Sequence, residues 1–401
     1  MKCGMLFEID NTGQSAVRGV NQDGVPIIDA KSLTYNDFFQ NFMVANVPCI
    51  IKGIGNTWES SRDWVKDGRP NYDYLMQKYG SYHVTVYNCL ERYYNTQKPT
   101  QMDFRRYLSY LRESSKNATK LDYLKNWHLK LTDENDKFYE VPVYFASDWL
   151  NEYYVTCASH LKDDYRFVYM GPNNSWTPFH ADVFMSYSWS VNIMGRKRWI
   201  LFPPGKENLL KDNLGNLPYD VTTSSLLHHG HELIQEQNEA IFVPSGWHHQ
   251  VYNIGDTISI NHNWVNGCNI DNMYAALLAE LANVEKEIAD CKEMDDFEQH
   301  CQLMLKVSCG MDFYMFYDFL KCICMKRIEM LASSSARRMF HGHEIGSNHI
   351  LFDLNAVSNT LGAFVQCDTV KNLDYFKTVD VKPPELLEQI LLSTKKNSLK
   401  K

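Results

Sequence analysis

The spacing of apolar residues along this chain changes near residue 270. Before that point, short segments either alternate or run apolar, as strands do. Beyond it, apolar residues recur every three or four positions, as one face of a helix does. In "SYHVTVYNC", His83, Thr85 and Tyr87 alternate with Val84, Val86 and Asn88, which predicts a strand. "NFMVANVPCIIKG" reads as a helix end, a turn and a buried strand from Pro48 to Gly53. "AIFVPSGWHHQVYNI" reads as a buried strand from Ala240 to Val243, a turn from Pro244 to Gly246, and a returning strand from His248 to Ile254. "NIMGRKRWILFPP" reads as two strands joined at Gly195 and Arg196. In "TISINHNWV", Ser259, Asn261 and Asn263 share one face, and Ile258, Ile260 and His262 share the other.

Helical spacing predicts a helix from Met102 to Leu111, followed by a loop from Arg112 to Lys120. Met273, Leu277, Leu281, Val284 and Ile288 mark an amphipathic helix, with further helices over 296–308 and 312–332. The stripe Phe313, Phe316, Tyr317 and Leu320 is assigned to core packing, and the C-terminal helices are expected to cover the sheet or form a homodimer surface. Residues 333–348, with His341 and His343, read as a mobile connection, and the tail "KKNSLKK" as disordered.

Candidate chemistry lies in the strand segments. A strand through "WTPFHADVF" would put His180 and Asp182 on one face, and an antiparallel return could bring His249 opposite them. Two imidazoles and one carboxylate are the set that holds a catalytic iron while leaving coordination positions open. Lys197 is a charge inside an apolar run. If buried it requires an anion, such as the far carboxylate of a diacid on the metal; the alternative is an exposed basic turn with Arg196 and Arg198. Asn261 and Asn263 would either bond a ligand or satisfy buried backbone. His228, His229 and His231 cluster in a polar segment and are assigned to an exposed loop rather than a second metal site.

Composition narrows the classes. The chain has 401 residues, with 48 acidic against 40 basic and a formal charge of −8. That balance disfavours direct nucleic-acid binding and suits a basic peptide or a lysine-bearing protein loop. No run of about 18 apolar residues exists to span a membrane, and no basic-then-apolar leader is visible at the start. The 11 scattered cysteines suit a reducing compartment, with Cys322 and Cys324 as core thiols, so a cytoplasmic location is expected. No paired C-x2-C series of a zinc-finger reader is present.

Four blocks in order, "TPFHAD", "GRKRWILFPP", "FVPSGWHHQVYN" and "SINHNW", resemble the JmjC domain of Fe(II)- and 2-oxoglutarate-dependent oxygenases. The resemblance implies an α+β fold with a mainly β core, a double-stranded β-helix (jelly-roll, cupin-like barrel) with N-terminal helices and a C-terminal helical region. It divides the chain into an N-terminal segment (1–34), the oxygenase domain (35–270), a helical region (271–332), and a connection, further helix and tail (333–401). It implies His180, Asp182 and His249 as iron ligands, Thr177 and Lys197 on the distal carboxylate of 2-oxoglutarate, and Asn192, Asn261 and Asn263 as further cosubstrate contacts. The chain departs from the family in having His248 where an aromatic residue is usual, and the G-W-x-H spacing selects His249 as the ligand.

The resemblance is strongest to a lysyl-hydroxylase member. It implies Fe(II), 2-oxoglutarate and O2 as cofactor and cosubstrates, hydroxylation of a lysine side chain with release of succinate and CO2, and a translation termination release factor as the protein substrate. The alternatives are a JmjC demethylase acting on N-methyl groups, a metal cupin enzyme that does not use 2-oxoglutarate, and a catalytically silent binding module.

Overall fold

The computed structural model of the protein describes residues 4–10, 24–94, 96–114 and 120–398. Eleven strands form one large sheet system. In chain order they are β1 (Ile27–Asp29), β2 (Cys49–Lys52), β3 (His83–Tyr93), β4 (Thr96–Asp103), β5 (Asp122–Trp127), β6 (Arg166–Gly171), β7 (Trp176–His180), β8 (Tyr187–Phe202), β9 (His231–Gln235), β10 (Ala240–Val243) and β11 (His248–Trp264). The principal helices are α1 (Phe104–Ser114), α2 (Trp149–Thr156), α3 (Ile270–Glu287), α4 (Phe297–Cys309), α5 (Phe313–Ala332), α6 (Ser347–Gln366) and α7 (Pro383–Ser398).

Two long strands make the barrel. The sequence suggested two short strands meeting at Gly195 and Arg196, but β8 is one strand that kinks there. Its first half pairs with β10 and the second half of β11, and its second half pairs with β9 and the first half of β11. The kink needs glycine: Gly195 has φ +76°, and a Cβ there would lie 2.4 Å from the Asp256 carbonyl. Gly255 makes the matching bend in β11 at φ +75°. Each long strand therefore contributes to two layers, β1-β2-β10-β8-β11-β6-β5-β3-β4 on one side and β9-β8-β11-β7 on the other. This is a jelly-roll.

The helix expected from Met102 starts at Phe104, after β4 ends at Asp103, and extends to Ser114. Of the loop expected from Arg112, residues 115–119 lie outside the described residues. The three C-terminal helices fall close to where the apolar period placed them, as α3, α4 and α5. Phe313, Phe316, Tyr317 and Leu320 are all buried within the chain.

Three expectations are corrected. Cys322 is not a free core thiol: it is disulfide-bonded to Cys157, tying α5 to the end of α2, while Cys324 is free and buried. Residues 333–348 are not a loose connection. His341 and His343 bond the carbonyls of Ala146 and Val141, and Glu344–Ile345 pairs in parallel with Leu6–Phe7. The tail is helical as far as Ser398, and residues 399–401 lie outside the described residues. Arg327, fully buried, clamps the helical region onto the barrel by donating to Glu152 of α2 at 2.8 Å and to Asp353 of α6 at 2.6 Å.

Candidate metal centre

Strand β7 pairs with β11 so that His180 stands opposite His249, with an irregularity between Thr177 and His180. The expectation that one strand carries both His180 and Asp182 needs correcting. The strand ends at His180, and Asp182 begins a single 3-10 turn over Val183–Met185. Phe184 and Met185 adopt positive φ, 57° and 50°, which turns the chain away and leaves the carboxylate behind. One ligand atom from each of His180, Asp182 and His249 can be chosen so that all three lie within 4.8 Å of one another.

The bonds around the triad fit a metal. His180 Nδ1 lies 2.7 Å from the Pro178 carbonyl and His249 Nδ1 lies 3.1 Å from the Trp247 carbonyl. Carbonyls only accept, so each Nδ1 carries hydrogen and each Nε2 keeps a lone pair for a ligand. Asp182 Oδ2 is buried with no hydrogen-bond partner. Burial, and then the neighbouring His249, push the His180 pKa down to about 4, which keeps its imidazole neutral as ligation requires. His180 is exposed on the side that lines the open cleft described below. His248 faces elsewhere, against Phe179 and 4.0 Å from Glu207, so the departure at that position does not disturb the triad.

Behind the triad is a narrow inner chamber lined by Thr177, Ser190, Lys197, Asn261 and Asn263 among others. Strand alternation turns Lys197 inward, with 2 % exposure, while Arg198 turns outward to Glu232 at 2.7 Å. The basic-turn alternative fails because this segment is strand. The Lys197 ammonium donates to Ser259 Oγ at 2.6 Å and has no ion pair among the described residues. Burial lowers its pKa to about 7. Thr177 Oγ1 is also buried without a partner. A buried ammonium without an ion pair and a buried hydroxyl without a partner in one chamber fit a carboxylate there.

Asn261 bonds Ser259 Oγ at 3.1 Å, and Asn263 bonds Ser186 Oγ at 3.1 Å. Asn192 does not fit its expected place. Its amide donates to the Gln235 carbonyl at 3.1 Å, and it does not line the chamber; Ser190, one repeat earlier on β8, does. The His228, His229 and His231 cluster joins no metal-holding group among the described residues, and His231 starts β9.

An outer cleft of about 520 Å³ opens from the triad toward solvent. Tyr165, Phe167 and Tyr169, alternate residues ending on β6, form a row along it, with successive ring centroids 6.3 and 6.4 Å apart. Asp163 lies beyond this row, its side chain 49 % exposed. Tyr87, Lys125 and His128 also line the cleft; in the run "LDYLKNWHL", surface or packing roles are the favoured reading for Lys125 and His128 over a place at a substrate mouth, and the structure puts both at the cleft. The signal available was Lys125 itself, a charge inside the strand "DYLKNW", the same pattern that marked Lys197.

The cupin-like domain family matches residues 35–270. Over 398 residues the chain is 44% identical to the 2-oxoglutarate and iron-dependent oxygenase JMJD4 of Gallus gallus, covering 92% of each protein. It is 41% identical to the Homo sapiens protein of the same name, covering 90% of this chain and 89% of that one. It is 36% identical to the arginine-specific demethylase JMJ20 of Arabidopsis thaliana, covering 77% of this chain and 72% of the relative. With the triad, the chamber and these matches together, the chain belongs to the cupin-like JmjC family of 2-oxoglutarate- and iron-dependent oxygenases.

Proposed function

We propose that this oxygenase hydroxylates a lysine side chain of a protein substrate in the cytoplasm. By the family resemblance, that substrate is a translation termination release factor. The observation that carries the reading is the outer cleft, where three aromatic rings in a row lead from Asp163 toward the triad. Aromatic faces accept the methylene stem of a long cationic side chain, and a carboxylate at the mouth favours its charge. His180, Asp182 and His249 would hold the iron, and Lys197 with Thr177 would take the distal carboxylate of 2-oxoglutarate. When bound, iron and 2-oxoglutarate supply the oxidising power: O2 is consumed, 2-oxoglutarate becomes succinate and CO2, and one oxygen atom enters a substrate C–H bond. The chain fixes the geometry, keeps the His180 imidazole neutral and lines the approach with rings that exclude water.

A second reading, demethylation, is favoured by the similarity to a relative named as an arginine-specific demethylase. Oxidation of an N-methyl carbon releases the methyl group, whereas oxidation of a methylene leaves a stable alcohol. Peptide mass spectrometry of candidate proteins from cells with and without the enzyme, with Asp182→Ala as control, separates the two. A gain of one oxygen on a lysine supports hydroxylation; loss of methyl groups overturns it.

A further inference from the structure

Four cationic side chains are buried among the described residues: Lys125, Arg166, Lys197 and Arg327. Arg166 pairs with Asp164 at 2.7 Å, and Arg327 pairs with Glu152 and Asp353. Lys125 and Lys197 have no ion pair among the described residues, and these two open onto the site. An uncompensated buried charge is costly, so a fold that keeps one needs something to neutralise it in the working state. For Lys197 that is the cosubstrate's carboxylate. Lys125 lies elsewhere, on the outer cleft rather than the inner chamber.

Lys125 is 7 % exposed. Its ammonium donates to Gln97 Oε1 at 2.8 Å and lies 4.7 Å from the centre of the Tyr87 ring. An ammonium has three donors, and the neutral amide uses one. Burial lowers its pKa to about 8. Gln97 in turn donates to the Trp176 carbonyl of β7 at 2.9 Å, so the ammonium is anchored to the barrel, 5.8 Å from the centre of the Tyr123 ring, while the side chain lines the cleft.

We infer that Lys125 is a specificity-determining residue that takes a carbonyl or carboxylate oxygen of the substrate peptide and so fixes which part of it reaches the triad. This rests on the protein-substrate reading above. The same charge repels an ammonium, which leaves the target side chain the neighbouring row Tyr165, Phe167 and Tyr169.

The test uses the full chain and a synthetic peptide spanning the lysine oxidised in the preceding experiment. Peptide binding is followed by fluorescence anisotropy without added iron, and KM values for peptide and 2-oxoglutarate are measured on the iron-loaded enzyme. Lys125→Met is expected to raise both the peptide Kd and the peptide KM about tenfold. It should also raise the 2-oxoglutarate consumed per peptide hydroxylated, with Lys125→Arg recovering part of the loss. If Lys125 acted only by steadying β7, which carries Thr177 and His180, through the Gln97 bond to the Trp176 carbonyl, the KM for 2-oxoglutarate would rise in step with that of the peptide; that outcome overturns the inference. An unchanged peptide Kd in a Lys125→Met protein with wild-type thermal melting overturns it as well. A wild-type enzyme that oxidises no lysine peptide removes the lysine reading itself, and the inference with it.

Discussion

His180 and His249 face each other across two antiparallel strands, their ring centroids 4.4 Å apart, and each donates its Nδ1 hydrogen to a carbonyl two residues earlier on its own chain segment. This symmetry presents two Nε2 lone pairs to one point, and Asp182 completes the set. Loss of partners that merely orient such ligands costs about 10–100-fold in affinity or activity. Asp182→Ala removes a ligand outright, so turnover should fall by more than about 100-fold. Iron content after dialysis should fall with it, and retention of iron at the wild-type level would refute the assignment.

Lys197 should set the affinity for 2-oxoglutarate. Truncating one member of a buried charge pair costs about 2–5 kcal/mol. Lys197→Ala should therefore raise the KM for 2-oxoglutarate roughly 30-fold or more, with a smaller effect on iron content. Competition by succinate analogues measures this directly.

The same residue predicts a pH dependence. Burial holds the Lys197 pKa near 7, so above that pH the ammonium loses its proton and a dianion must bind with proton uptake. Affinity for 2-oxoglutarate should be flat below pH 7 and fall by up to about tenfold per pH unit above it. Lys197→Arg, charged throughout this range, should flatten the profile in calorimetric titrations.

Stability of the helical region should depend on Arg327. Removing it takes the buried guanidinium from Glu152 and Asp353, leaving Lys326 3.5 Å from the first and His349 and Trp149 3.1 Å from the second, at a cost of up to about 3–5 kcal/mol. Arg327→Ala should lower the denaturation midpoint without changing the slope. A midpoint shift within error would show that the clamp contributes nothing.

The kink at Gly195 makes a fifth case. Gly195→Ala places a Cβ at positive φ and against the Asp256 carbonyl, a strain of about 1–3 kcal/mol or more. Because β8 carries Lys197 two residues later, the KM for 2-oxoglutarate should rise along with the loss of stability. A variant with normal melting and normal KM would contradict the role given to the kink.

Residue pattern alone separated strand from helix near residue 270, placed α3, α4 and α5, and put Asn261 and Asn263 on the face opposite Ile260 and His262. These are local properties, because a period of two or of 3.6 is written in neighbouring residues. The metal triad was legible for the same reason in part: H-x-D and G-W-x-H are short signatures, and the family resemblance joined them. What only the tertiary structure decided depends on residues far apart in the chain. Asn192 turned to the carbonyl of Gln235, Cys322 met Cys157, and Glu8 came to accept the backbone N–H groups of Asn348 and His349 at the start of α6. Lys125 likewise became a cleft residue because β5 lies beside β6 in the sheet. Such pairings are set by how layers stack and where chain ends meet, and no local period encodes them.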